Sequence, residues 1–299
     1  MALRKTRVGK SSSIVLPRGG QQQLRHKATT FHGGIFWTTQ GILLGANFLG
    51  YLISCVSSYH YHVDMLGTGA FAAVAAFTFR RSPASSLAVM LWSVKLASFL
   101  LFRVVHHGGR DSRLNDTLAD PLSASGFWII SWLWGVLVSL PHCLGAATVT
   151  MTATRSKSLQ DAGLVLFAVG WMMETVADYQ KWMFKQQYAS AISTPYCNVG
   201  LWSWSQHPNW CGNLLLWFGI WMMNAPALIS PRAKHIVPRY GSLLLSCLGP
   251  LFLFALFHGQ ATGWILPSAL EATKQKYGYG TDLEYTKYVD RTPLLFPLI

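Results

Sequence analysis

"GFWIISWLWGVLVSLPHCLGAATV", residues 126–149, runs for 24 positions without an Asp, Glu, Lys or Arg. A helix of about 20 apolar residues is long enough to cross the hydrocarbon core of a bilayer. No polar face recurs at the helical period, so this helix is apolar all round and suited to lipid or protein on every side. A spanning helix also satisfies its own backbone hydrogen bonds, which lipid cannot do for it. Working outward, comparable stretches occur at about 35–56, 65–79 (short), 84–105, 159–180, 212–229 and 241–266. The expected fold is all-α, a polytopic membrane bundle of about seven transmembrane helices.

Composition agrees. The 299 residues are 51% hydrophobic and 12% charged, with mean hydropathy +0.29, where soluble domains carry roughly 25% charged residues. No internal repeat is visible, so residues 35–299 read as one domain. Residues 1–34 read as a basic tail; its first thirty positions hold seven Lys/Arg and no acid. That composition suits an organelle transit peptide or a disordered tail beside an anionic membrane surface. The expected location is an integral membrane protein of the endoplasmic reticulum, or of an organelle if the tail is a transit peptide. The formal charge of +13 does not point to nucleic acid, because the Lys and Arg are scattered among short loops. With seven spans, fourteen Lys/Arg fall on one side and nine on the other; without the tail the counts are seven and nine. Orientation therefore turns on the fate of the tail.

Ionisable groups within spans are costly and by default functional. Asp64 heads the second span and Lys95 lies in the third. In "WMMETVADYQKWMFK", residues 171–185, Glu174, Asp178, Lys181 and Lys185 are spaced i, i+4, i+7, i+11 and share one helix face. Such a stripe is either a self-neutralising seam or the wall of a polar cavity. A nucleotide, with phosphates for the cations and donors for the acids, would suit the cavity. The loop "HHGGRDSRLND", residues 106–116, offers Arg110 and Arg113 for bidentate phosphate contact around Asp111. Pro141 breaks the fourth span and frees a carbonyl, tolerable only against protein or a cavity; His142 beside it reads as a satisfied core histidine. The five Cys form no CxxC pair and read as free thiols. Gly67 to Ala72 spells GxGxxA, but without a preceding strand it makes no Rossmann site. No HxxxH box, metal site or GxSxG elbow is present.

One stretch remains: "GLWSWSQHPNWCGN", residues 200–213. Trp202 and Trp204 suit a membrane–water boundary. His207-Pro208-Asn209 reads as a helix start capped by Asn209, with Gly212 allowing close packing. A helix N-terminus favours an anion. The stretch resembles the "GLW-x-x-S-R-H-P-N-Y-x-G-E" hallmark of the steroid 5α-reductase and sterol reductase superfamily. It is most similar to the branch of uncharacterised membrane proteins grouped with the steroid 5α-reductase C-terminal domain. "VDMLGTGAF", "KLASFLLFR", "GGRDSR", "ETVADYQKWMFK" and "EYTKYVDRTPLLFPLI" resemble further marks of that branch, in order, over roughly residues 50–299.

The resemblance implies a seven-helix reductase that binds NADPH and reduces a carbon–carbon double bond in a lipid-like substrate. Matching positions make Asp178, Lys185 and Asn209 cofactor contacts. Arg110 and Arg113 would hold its phosphates, and Tyr285 and Arg291 would close the pocket. Glu174, Lys181, Trp202, His207 and Asn213 complete the expected cofactor-binding set, and Asp64 stands near the acid that polarises the substrate. The chain departs from the hallmark at Gln206, in place of Arg, and at Asn213, in place of an acid; Trp92 stands near the expected ketone-polarising Tyr. Two other readings stay open. One is an S-adenosylmethionine-dependent membrane methyltransferase of the isoprenylcysteine or phospholipid type, which shares the His-Pro and Gly positions. The other is a non-catalytic lipid-binding relative.

Overall fold

Prolines mark where several helices begin. Pro83, Pro121, Pro208 and Pro267 each open one, at the position where a missing N–H costs nothing and φ is preset. The computed structural model describes residues 18–111, 113–148, 157–188, 196–230, 237 and 239–296. In chain order the helices are α1 (Arg18–Val56), α2 (Tyr61–Gly67), α3 (Ala70–Thr78), α4 (Pro83–His106), α5 (Asn115–Ala119) and α6 (Pro121–Thr148). They continue with α7 (Lys157–Tyr188), a 3-10 turn (Gly200–Ser203), α8 (Pro208–Leu228), α9 (Arg239–Ala261), α10 (Pro267–Tyr277) and α11 (Leu283–Arg291). No strand occurs among the described residues.

The apolar stretches expected from the sequence fall mostly on helix, although α9 ends at Ala261, short of the expected 266. Four helical segments among the described residues are long and apolar enough to cross a membrane: Gly33–Val56, Pro83–His106, Pro121–Thr148 and Tyr240–Ala261. The helices α7 and α8 are long enough, but the charged stripe dilutes the first, and Asn209, Asn213 and Asn224 dilute the second. The short 65–79 stretch is broken into α2 and α3. Ser93 of α4 patches the break by donating to the Thr68 carbonyl (2.8 Å) and accepting from the Ala72 N–H (3.1 Å). Helix α1 reaches back to Arg18. Residues 1–17 of the basic tail, 149–156, 189–195, 231–236 and 238 lie outside the described residues.

Helices α7 and α8 run antiparallel and share their glycines. Gly163 faces Gly219 and Gly170 faces Gly212, seven residues apart on each helix. A Cβ on Gly212 would come within 2.5 Å of the Glu174 backbone nitrogen, and one on Gly219 within 2.6 Å of the Gly163 carbonyl. In lipid, where apolar burial adds little between helices, such close backbone approach is what holds a pair together. Helices α3, α4, α6 and α8 meet in a knot of Phe71, Trp92, Trp134 and Trp217, with Trp92 and Trp217 edge to face at 4.9 Å. The carbonyl that Pro141 frees belongs to Leu137, and Gly249 of α9 packs against it: a Cβ there would lie 2.9 Å away. His142 is fully buried between the Thr78 and Ser85 hydroxyls, each 2.8 Å from a ring nitrogen. The freed carbonyl and the satisfied histidine are as expected, but the helix runs on through Pro141 without a break.

Candidate functional site

The α7 stripe divides in two. Its acids are met by Lys95 of α4, whose Nζ lies 3.0 Å from Glu174 Oε2 and 3.1 Å from Asp178 Oδ2, all three side chains largely buried. Asn213 Nδ2 donates to the other Glu174 oxygen (2.7 Å) and Asn209 Nδ2 to the other Asp178 oxygen (3.2 Å). Buried carboxylates need a cation and full hydrogen bonding, and these have both. Glu174, Asp178, Asn209 and Asn213 thus join one network around Lys95, in which the buried Asn209 Oδ1 has no hydrogen-bond partner among the described residues. Nor does Asn209 cap α8. Pro208 starts the helix, so His207 occupies the cap position, without a side-chain cap bond, and Asn209 falls inside the first turn, where it faces α7.

The lysines go elsewhere. Lys181 Nζ sits 4.2 Å from the centre of the Trp202 ring. Trp202 is buried, its Nε1 donating to the Ala177 carbonyl at 2.9 Å, so it is a wall and not a boundary anchor; Trp204 is the exposed one. His207 stacks on Trp210 at 4.1 Å, and burial pushes its imidazole down to about 3, so it stays neutral. These residues line a cavity of about 490 Å³, together with Arg113, Cys197 and four tyrosines. Tyr196 packs on Tyr285 at 4.8 Å and on Tyr288 at 5.2 Å, with Tyr277 beside Tyr285 at 5.4 Å.

A second cavity, about 1070 Å³, is lined by Asp64, Arg103, His107, Arg110, Asp111 and Arg113 opposite apolar side chains of α4 and α6. It shares Arg113, Gln260 and Leu266 with the first, so the two adjoin across that wall. Arg113 donates from Nε (2.9 Å) and Nη2 to the two oxygens of Asp111, and this pairing holds the Asp111 carboxyl at about 2. Asp64, just ahead of the 65–79 stretch, is pushed up to about 6 by burial, against the opposing pull of Arg103. Arg110 reaches the Ser58 hydroxyl (3.2 Å).

Of the expected residues, Lys181, Trp202, His207 and Tyr285 share the smaller cavity, Asp64 and Arg110 the larger, and Arg113 both. Lys185, four residues past Lys181 on α7, is exposed, and the charges of Arg103, Lys276 and Arg113 bear on it. Arg291 is exposed at the end of α11 and lies on neither wall. Sequence reasoning missed Lys95 as the partner of the acids, Arg103 as a cavity cation, and Tyr196, Tyr277, Tyr288 and Trp210. The tyrosines come from three separate segments, so no spacing announces them.

The model of one protein family, described as "Protein of unknown function (DUF1295)", matches residues 50–292. The chain belongs to the DUF1295 family. No curated protein and no solved structure matches it. The DUF1295 match takes in α2 to α11, and with them both cavity walls. In this DUF1295 chain Gln206 joins the 200–213 stretch to the C-terminal segment. Its Nε2 donates to the Val289 and Thr292 carbonyls (2.9 and 2.8 Å), and its backbone N–H to the Pro293 carbonyl. Ser205 Oγ donates to the Leu295 carbonyl (2.8 Å) and Tyr288 Oη to the Trp202 carbonyl (2.8 Å). The loop and the C-terminal segment form the roof of the smaller cavity.

Proposed function

We propose that the chain is a membrane-embedded, NADPH-dependent reductase of a carbon–carbon double bond in a lipid-like substrate, built on seven spans. One observation carries the reading: two adjoining cavities, the smaller beside the α7–α8 pair and walled by aromatic rings and lysine, the larger holding a carboxyl that burial keeps partly protonated. The residues fit a dinucleotide best at its phosphate and base ends. Lys181 on the wall, with Lys185 one turn further along α7, supplies cations for phosphates, and Tyr196, Tyr285 and Trp202 supply faces for a base. They fit less well at the nicotinamide end, where Asn213 and Glu174 already bind each other. Bound NADPH supplies a hydride, two electrons to one alkene carbon. Asp64 supplies the balancing proton to the neighbouring carbon, and its raised pKa suits a general acid near neutrality.

The test uses the full chain in detergent, melted with NADPH, NADH or S-adenosylmethionine. A ligand at 100-fold its dissociation constant adds about 2.7 kcal/mol. NADPH is expected to raise the melting temperature, and Lys185→Ala to abolish the rise. Stabilisation by S-adenosylmethionine with none by NADPH would instead favour a methyltransferase. No shift with any of the three would favour a lipid-binding, non-catalytic relative.

A further inference from the structure

The larger cavity holds more positive charge than its own acids engage. Asp111 occupies Arg113 through both carboxylate oxygens. Among the described residues Arg103 makes no side-chain hydrogen bond or ion pair, and Arg110 meets only the Ser58 hydroxyl and the face of the Tyr59 ring, 5.8 Å from its centroid. Two guanidiniums therefore keep most of their donors free, with Asp64 the one acid on the wall that no arginine hydrogen-bonds. Guanidinium forks match phosphate and carboxylate oxygens in pairs. Part of the lining is apolar, formed by Leu100, Val104, Phe127 and Leu266. Leu100, Arg103 and Val104 sit at i, i+3 and i+4 on α4, so the cation and the apolar lining share one helix face. Helix α4 is one of the four long enough to cross the bilayer, and Arg103 is in its last turn. That level is where lipid headgroups meet water.

We infer that the larger cavity is a headgroup site for an anionic amphiphile, a phosphate or carboxylate on an alkyl or polyprenyl chain, held by Arg103 and Arg110 with its tail against α4. As a statement about the reductase's substrate this rests on the reading above; as a binding site it does not. The cofactor's phosphates and the substrate's head would then be separated by the Arg113–Gln260 wall, each with its own cations.

The probe is dodecyl phosphate, with dodecanol as its neutral counterpart, bound to the full-length protein in maltoside micelles. The wild type is expected to prefer the phosphate by roughly tenfold or more, the scale of one charge-assisted hydrogen bond. Arg103→Gln/Arg110→Gln should lose that preference while still binding dodecanol, which reports an intact fold. If that variant fails to bind dodecanol, Arg103→Lys/Arg110→Lys decides: a retained preference supports the site, and its loss overturns it. Equal binding of phosphate and alcohol by the wild type overturns the inference, as does an unchanged preference in the Gln variant. Inorganic phosphate displacing dodecyl phosphate at equal concentration would overturn the amphiphile in favour of a free anion. The NADPH melting shift is read in parallel. Its absence with the phosphate preference intact removes the reductase and leaves the site, and the reverse outcome removes only the site.

Discussion

At the scale of single residues, Asp64 and Lys95 do opposite things with a buried charge. Asp64 has no ion pair among the described residues, and its folded pKa is raised from 3.8 to about 6. A raised carboxyl favours the protonated fold, so its contribution is full below the ordinary value and is lost as pH rises through about 6. The melting temperature of the wild type is therefore expected to fall relative to Asp64→Asn between those two values, and to run parallel above them. If Asp64 is the proton donor, turnover also declines as pH rises through about 6, and Asp64→Asn lowers it by about 10²–10⁴-fold. Lys95 is instead surrounded by acids. Lys95→Met leaves Glu174 and Asp178 buried without a cation, a loss of about 3–5 kcal/mol by thermal unfolding in detergent, and adding Glu174→Gln and Asp178→Asn should recover most of it. The sequence made both residues conspicuous as charges in apolar runs. It did not show that Lys95 reaches the α7 acids, because a contact across 79 positions depends on how two helices cross, and periodicity along either one is silent on that.

At the scale of elements, the helices were legible and their pairing only partly so. A run of apolar residues specifies a helix in lipid almost unaided, and the seven expected stretches fall mostly on helix. The break between α2 and α3 was not legible, since Ser93 of another helix braces it with a second hydrogen bond to the Thr68 carbonyl and to the Ala72 N–H. Nor was the glycine seam, although Gly212 was expected to pack closely; its counterpart Gly170 becomes meaningful only once α7 and α8 lie side by side. The seam gives a sharp contrast. Gly170→Leu and Gly212→Leu push a side chain into the partner's backbone and should each cost at least 1–3 kcal/mol, together with any NADPH shift that needs Lys181 in register. Gly41→Leu, where nothing lies within 4 Å of the new Cβ, should leave the melt within about 0.5 kcal/mol. Equal losses at the three positions in detergent melts would deny the seam its role.

Across the whole molecule, the C-terminal segment returns to close the loop that the sequence singled out, and Gln206 makes the join. The superfamily that this stretch resembles has Arg at that position, and the chain departs from it there. The surroundings of Gln206 suggest an account of the exchange. Both of its amide hydrogens go to backbone carbonyls, at Val289 and Thr292, and a guanidinium also carries donors and no acceptor, so either side chain can clasp the same two groups. On that logic Gln206→Arg keeps the fold within about 0.5 kcal/mol. Gln206→Ala strands two carbonyls and costs about 1–3 kcal/mol. Gln206→Glu costs more than Ala, because it turns acceptor oxygens toward acceptors. The readout that separates a roof from a mere surface tie is limited proteolysis in detergent. In Ala and Glu variants the segment after Tyr279 should be cut faster while α7 and α8 stay protected, because releasing α11 uncovers the Tyr285–Tyr288 wall without touching the glycine seam. Uniform acceleration across the chain would mean that Gln206 supports the bundle as a whole, and that the cavity beneath it has no separable lid.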